Sequence, residues 1–90
     1  MIGVYIITFS NNYKYIGSSK DVEERMKQHR RCLKNSKINS WYEDAKQYDI
    51  LSVNVIPCES IEMARKIEKI LIKECNCNLY NTIRYKSWNF

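Results

Sequence analysis

Two apolar, aromatic and β-branched runs open the chain, residues 2–9 and 13–18, with Ser10-Asn11-Asn12 between them. The pattern predicts a β-hairpin, since asparagine tolerates the positive φ that tight hairpin turns require. With a three-residue loop, Phe9 faces Tyr13, Ile7 faces Tyr15 and Tyr5 faces Gly17. Side chains alternate along a strand, so the odd-numbered residues of both strands share one face of the ribbon. Tyr5 and Tyr15 are then diagonal neighbours, and Gly17 leaves bare backbone beside the Tyr5 hydroxyl. A two-residue turn would flip one strand relative to the other and separate the two phenols. The three-residue loop is the preferred register.

Helical periodicity follows. Asp21 stands as N-cap with Glu24 three positions on, the pattern of a capping box, and the helix should run to about Leu33. Val22, Met26 and Leu33 make its apolar seam, and Arg25 and His29 sit one turn apart on the same face. Residues 34–40 are polar and turn-like. Residues 41–48 (WYEDAKQY) read as a short second helix capped by Asn39 or Ser40, with Trp41 and Tyr42 as core and rim. Residues 50–56 alternate as a third strand that ends at Pro57. Ser60 caps the strongest helix, from Ile61 to about Glu74. Arg65, Lys66, Lys69 and Lys73 lie on its basic side; Ile61, Ala64, Ile67, Leu71, Ile72 and Cys75 lie on its apolar side. At about 100° per residue, Glu68 falls inside that apolar face. A buried carboxylate costs several kcal/mol unless compensated, either by a cation such as Arg25 or as a metal ligand. Leu79 to Ile83 suits an extended segment returning to the core. Trp88 and Phe90 suit a docking tail or a stretch cut from something longer. The fold class expected is α+β, a three-stranded antiparallel sheet flanked by about three helices. Residues 1–84 form one domain, and residues 85–90 a short C-terminal tail.

Composition narrows the function. Ninety residues, 44% hydrophobic, make one small core, and no apolar run approaches the ~20 residues of a membrane span. The start shows no targeting signal, so the expected location is the cytoplasm or an equivalent compartment. Four cysteines without a CxxC pair argue for free thiols rather than structural zinc. Fifteen Lys and Arg against ten Asp and Glu give a net charge of +5, which favours a polyanion partner. Lys27, Arg30, Arg31 and Lys34 form one basic cluster, and the Arg65–Lys73 stripe another. Either suits phosphates or an ordinary solvated helix face.

Gly3-Val4-Tyr5, Tyr15-Ile16-Gly17, Arg25 with His29, the helix around Glu68, and Tyr80-Asn81 occur in the order found in the GIY-YIG nucleases. The chain resembles that family over residues 2–84. The run from Tyr15 to His29 looks most like its phage intron-homing branch. The resemblance implies a divalent-metal-dependent DNA endonuclease that leaves a 5′-phosphate and a 3′-hydroxyl, one strand per active site. Glu68 would hold one Mg²⁺ or Mn²⁺, Tyr5 would help deprotonate the attacking water, and Tyr15 would orient water or phosphate. His29 would assist proton transfer, and Arg25 would stabilise transition-state charge. Gly17 and Asn81 would support the site. Lys14, Lys20, Lys27, Arg30 and Arg31 are candidate contacts to duplex or branched DNA. Positive charge near Tyr5, from the metal, Lys14 or Lys20, would lower its phenol from a value near 10. The homing branch often carries a second histidine before the second helix, where this chain has Ile38-Asn39-Ser40. The rival expectation is a silent nucleic-acid-binding or protein-interaction module on the same scaffold.

Overall fold

The hairpin adopts the three-residue loop. In the computed structural model, which describes residues 1–35, 44–75 and 78–81, β1 (Gly3–Phe9) pairs antiparallel with β2 (Lys14–Ser19). Tyr5 lies opposite Gly17 and Ile7 opposite Tyr15. The Phe9 amide donates to Tyr13 O and the Asn12 amide to Phe9 O, each at 2.9 Å. Asn12 has φ 70°, and the Asn11 side chain accepts from the Tyr13 amide at 3.1 Å. Both asparagines therefore serve the turn, one through its left-handed backbone and the other through its amide oxygen. A third strand, β3 (Ile50–Pro57), pairs antiparallel on the far side of β1, giving the order β2-β1-β3.

The sheet is covered on both faces, and strand alternation decides which residue goes where. Tyr5, Ile7 and Phe9 point toward α1 (Val22–Asn35) and form one core with Val22, Met26, Ala45 and Tyr80. Val4 and Ile16 point the other way, toward α2 (Ile61–Glu74), and share a second core with Ala64 and Leu79. The predicted apolar side of α2 is the side it buries: Ile61, Ile67, Leu71, Ile72 and Cys75 all pack there. Ser60 caps it, its hydroxyl accepting from the Met63 amide at 3.2 Å. Asp21 caps α1 by accepting from the Glu24 amide at 3.2 Å. Glu24 does not return the bond, because the Asp21 amide is already bonded to Ser19 Oγ. Its carboxylate stands instead 3.9 Å from Arg31.

The described residues hold two helices rather than about three. Most of the helix expected over residues 41–48, with Trp41 and Tyr42, lies outside them; Asp44 and Ala45 are helical and pass directly into a turn. The expected tail at 85–90 lies outside them as well. Cys32 and Cys58 are free, as expected, whereas Cys75 is disulfide-bonded. No helix among the described residues is long and apolar enough to cross a membrane.

The returning segment does join the core. Leu79 bridges Lys14 in parallel, with the Lys14 amide donating to Asn78 O at 2.9 Å and the Tyr80 amide to Lys14 O at 2.8 Å. Tyr80 is fully buried, edge-on to Phe9, and its hydroxyl donates to Asp44 Oδ2 at 2.6 Å. Asn81 then behaves like one more strand residue. Its Oδ1 accepts from the Ile16 amide at 2.9 Å, and its Nδ2 donates to Ile16 O at 2.6 Å. Asn81→Ala strips both partners from Ile16 without removing apolar packing. It should cost about 1–3 kcal/mol, read as a lower urea midpoint at an unchanged m-value.

Candidate functional site

Gly17 decides how the site can be built. A β-carbon at this position would lie 2.5 Å from Tyr5 Cζ and closer still to the hydroxyl oxygen. The phenol can therefore lie over the β2 backbone only because residue 17 has no side chain. There its hydroxyl meets His29 Nε2 at 2.7 Å, a buried bond from the centre of the sheet to the middle of α1. Tyr15 completes the group. Its ring centroid is 6.3 Å from that of Tyr5 and 5.3 Å from that of His29, the latter contact edge-on.

Burial and two nearby charges set the protonation of this cluster. Loss of water holds the His29 imidazole neutral, its pKa lowered from 6.5 to about 4, and the Arg25 guanidinium pushes in the same direction. Tyr15 is raised above the ordinary phenol value, first by burial and then by the Glu68 carboxylate, with Arg25 opposing. At neutral pH, Tyr15 is a hydroxyl donor and His29 a neutral imidazole. Arg25 and Glu68 are thus both close enough to act on the Tyr15 phenol, with opposite sign.

Glu68 is half-buried, and its Oε1 accepts a hydrogen bond from Ser18 Oγ. Arg25 forms no ion pair with it, so the structural pairing expected as one compensation for Glu68 is absent. The Ser18 bond orients one carboxylate oxygen and leaves the other uncommitted. Among the described residues no group of three or more His, Cys, Asp or Glu side chains is placed to hold a metal. A single carboxylate suits a hard cation that keeps most of its waters, and suits zinc poorly.

A cleft of about 310 Å³ adjoins these groups where β2 turns into α1, lined by Ser18, Lys20, Arg25 and, from α2, Ile61 and Arg65. Of the basic residues singled out in the sequence, Lys20, Arg25 and, from the α2 stripe, Arg65 reach this cleft. Lys14 does not. As an even-numbered strand residue it faces α2, in a hollow with Leu71 and Glu74 toward the other end of β2. Lys27 and Arg30 line a hollow beside Val55 of β3, on the flank of α1 away from Arg25. Arg31 is exposed beside Glu24. Two residues the sequence did not single out for the site belong to it. Ser18 orients Glu68, and Arg65, though exposed, lines the cleft; its position one turn before Glu68 was the available signal for the latter.

A family model described as the GIY-YIG catalytic domain matches residues 1–81. No curated protein and no solved structure matches the chain.

The buried imidazole generates a pH test. The unfolded chain takes up a proton on His29 below about 6.5, whereas the folded chain resists until about 4. The stability linked to His29 is therefore present above pH 6.5 and is lost as pH falls toward 4, by up to about 3 kcal/mol. Melting temperature should fall more steeply across that window in the wild type than in His29→Gln, and the difference between the two curves should be flat above pH 7.

Proposed function

Since the chain belongs to the GIY-YIG catalytic domain family, whose members are nucleases, we propose that it is a DNA endonuclease dependent on one Mg²⁺ or Mn²⁺ ion. It hydrolyses a phosphodiester to a 5′-phosphate and a 3′-hydroxyl, one strand per active site. The observation that carries this reading is the contact of Tyr5, His29 and Tyr15 beside β2, with Arg25 and Glu68 close enough to act on the Tyr15 phenol. Binding alone would need surface cations; it would not need two phenols, a neutral imidazole and an oriented carboxylate beside them.

Each side chain has a task its environment fits. The attacking water gives up a proton, and the Tyr5–His29 pair is built to receive it. The Tyr5 oxygen accepts the water proton as its own passes to His29 Nε2 along the 2.7 Å bond. Neutral His29 has room for that proton, which an imidazolium would not. Tyr15 stays protonated and donates to the water or to a phosphate oxygen, holding the reacting atoms in line. Arg25 presents its fork of donors to the charge that develops on the phosphoryl oxygens. Glu68, held by Ser18, would bind the cation through its uncommitted oxygen. When bound, the ion supplies Lewis-acid charge to the phosphate. Gly17 admits the Tyr5 hydroxyl to its place, and Asn81 fixes β2 from behind.

Supercoiled plasmid and a labelled branched duplex, incubated with magnesium, manganese or chelator, test the assignment. Metal-dependent nicking should fall by about 10²–10⁴-fold in Tyr5→Phe and at least as far in Glu68→Ala. Absence of cutting, with DNA binding intact and indifferent to Glu68→Ala, would identify a silent binding module instead.

A further inference from the structure

We propose that Arg65 holds a backbone phosphate next to the one that is cut, so that the cleft between α1 and α2 takes two successive phosphates of one strand. The proposal rests on the nuclease reading above. Three cations line this cleft, Lys20, Arg25 and Arg65, coming from β2's exit, from α1 and from α2. Among the described residues none of the three has a carboxylate within ion-pair distance. Two acidic side chains share the lining, but each is committed elsewhere. Asp21 caps α1 through the Glu24 amide, and Glu24 stands 3.9 Å from Arg31. The lining thus carries three cations against two carboxylates, a concave surface with a positive excess, and a phosphodiester backbone is the polyanion that fits it.

Position on the helix separates Arg65 from its basic neighbours. Ile61, Arg65 and Glu68 recur at i, i+4 and i+7, on one face of α2. Ser18 belongs both to the cleft and to the hydrogen bond with Glu68, so the cleft is continuous with the carboxylate. Arg65 sits three residues before Glu68, about 4.5 Å along the helix axis, so its side chain springs from the turn next to the carboxylate. Lys66, Lys69 and Lys73 are exposed and do not line the cleft. A phosphate bound by Arg65 would register the strand so that the next phosphodiester lies between Glu68 and Arg25. The arginine fork can make two parallel bonds to such a phosphate, which a lysine cannot.

The test measures binding and turnover separately. Anisotropy of a fluorescein-labelled 20-base-pair duplex, in chelator and across a salt series, gives affinity without cleavage. Arg65→Gln should weaken binding about tenfold and lower the slope of log K against log salt by about 0.9, the loss of one phosphate contact. Arg65→Lys should recover affinity only in part. Lys46→Gln, which removes an exposed cation far from the cleft, should stay within twofold of the wild type. In metal-supported nicking, Arg65→Gln should raise KM with kcat changed less than threefold, because the contact is equal in ground and transition states. Equal losses in Arg65→Gln and Lys46→Gln, or an unchanged salt slope, would overturn the proposal. So would a fall in kcat at unchanged affinity, which would put Arg65 on the scissile phosphate. Failure of the nuclease reading appears differently, as absent nicking in every variant while the anisotropy result stands.

Discussion

The contact between the Tyr5 hydroxyl and the bare backbone of Gly17 is the constraint around which the molecule is arranged. It demands that residue 5 and residue 17 be opposite, which fixes the register of the hairpin and hence the length of its loop. That register turns every odd-numbered side chain of β1 and β2 toward α1 and every even-numbered one toward α2. His29 can then reach the phenol only if α1 crosses the sheet over β1 and β2, and the buried bond pins the helix there. A one-residue slip would put Tyr5 against Ile16 or Ser18 and dissolve the site along with the core.

The site draws on both faces of a sheet, which a strand in the middle of that sheet would prevent. Tyr5, Tyr15 and His29 belong to the α1 side, while Ser18 and Glu68 belong to the α2 side. They influence one another because β2 is an outer strand, so that groups from above and below can meet around its rim. An outer strand is ordinarily the loosest part of a sheet. Here it is held by Leu79, by the Lys14 backbone bonds and by the Asn81 side chain, which spans Ile16 as a neighbouring strand would. Precision at the site therefore depends on residues distant in sequence from every group that does chemistry.

Much of this was legible in the residue pattern, for physical reasons that can be named. The hairpin register followed from Asn12 and from the position of Gly17; the buried face of α2 followed from its period, and its start from Ser60. Lys14 was grouped with the site by proximity in sequence to Tyr15, although alternation sends it to the opposite face. Lys27 and Arg30 were grouped with Arg31 and Lys34 by charge, and their places two and five residues beyond Arg25 turn them to the other flank of the helix. Arg65 was hidden in a basic stripe because a count of lysines and arginines does not tell which one leans into a cleft. The Ser18–Glu68 bond was not legible at all, since it joins residues on separate elements with no pattern relating them. Nor was the partner of Asp21, where the sequence offers a capping box and Ser19 takes the amide first.

The closure of β2 by residues 78–81 leaves the sheet asymmetric in a way that bears on self-association. On one side a short parallel bridge and an asparagine amide occupy the backbone groups that an incoming strand would need. On the other, β3 carries Leu51 at 63% exposure and Val55 and Ile56 partly uncovered. Strand-on-strand addition, whether in aggregation or in exchange of segments between copies, has its point of entry at β3. Two features blunt that edge: Pro57 offers no amide at its end, and the ladder shifts register between Thr8 and Phe9 near its start. The sheet is thus sealed where its chemistry is assembled and only roughened where it is not.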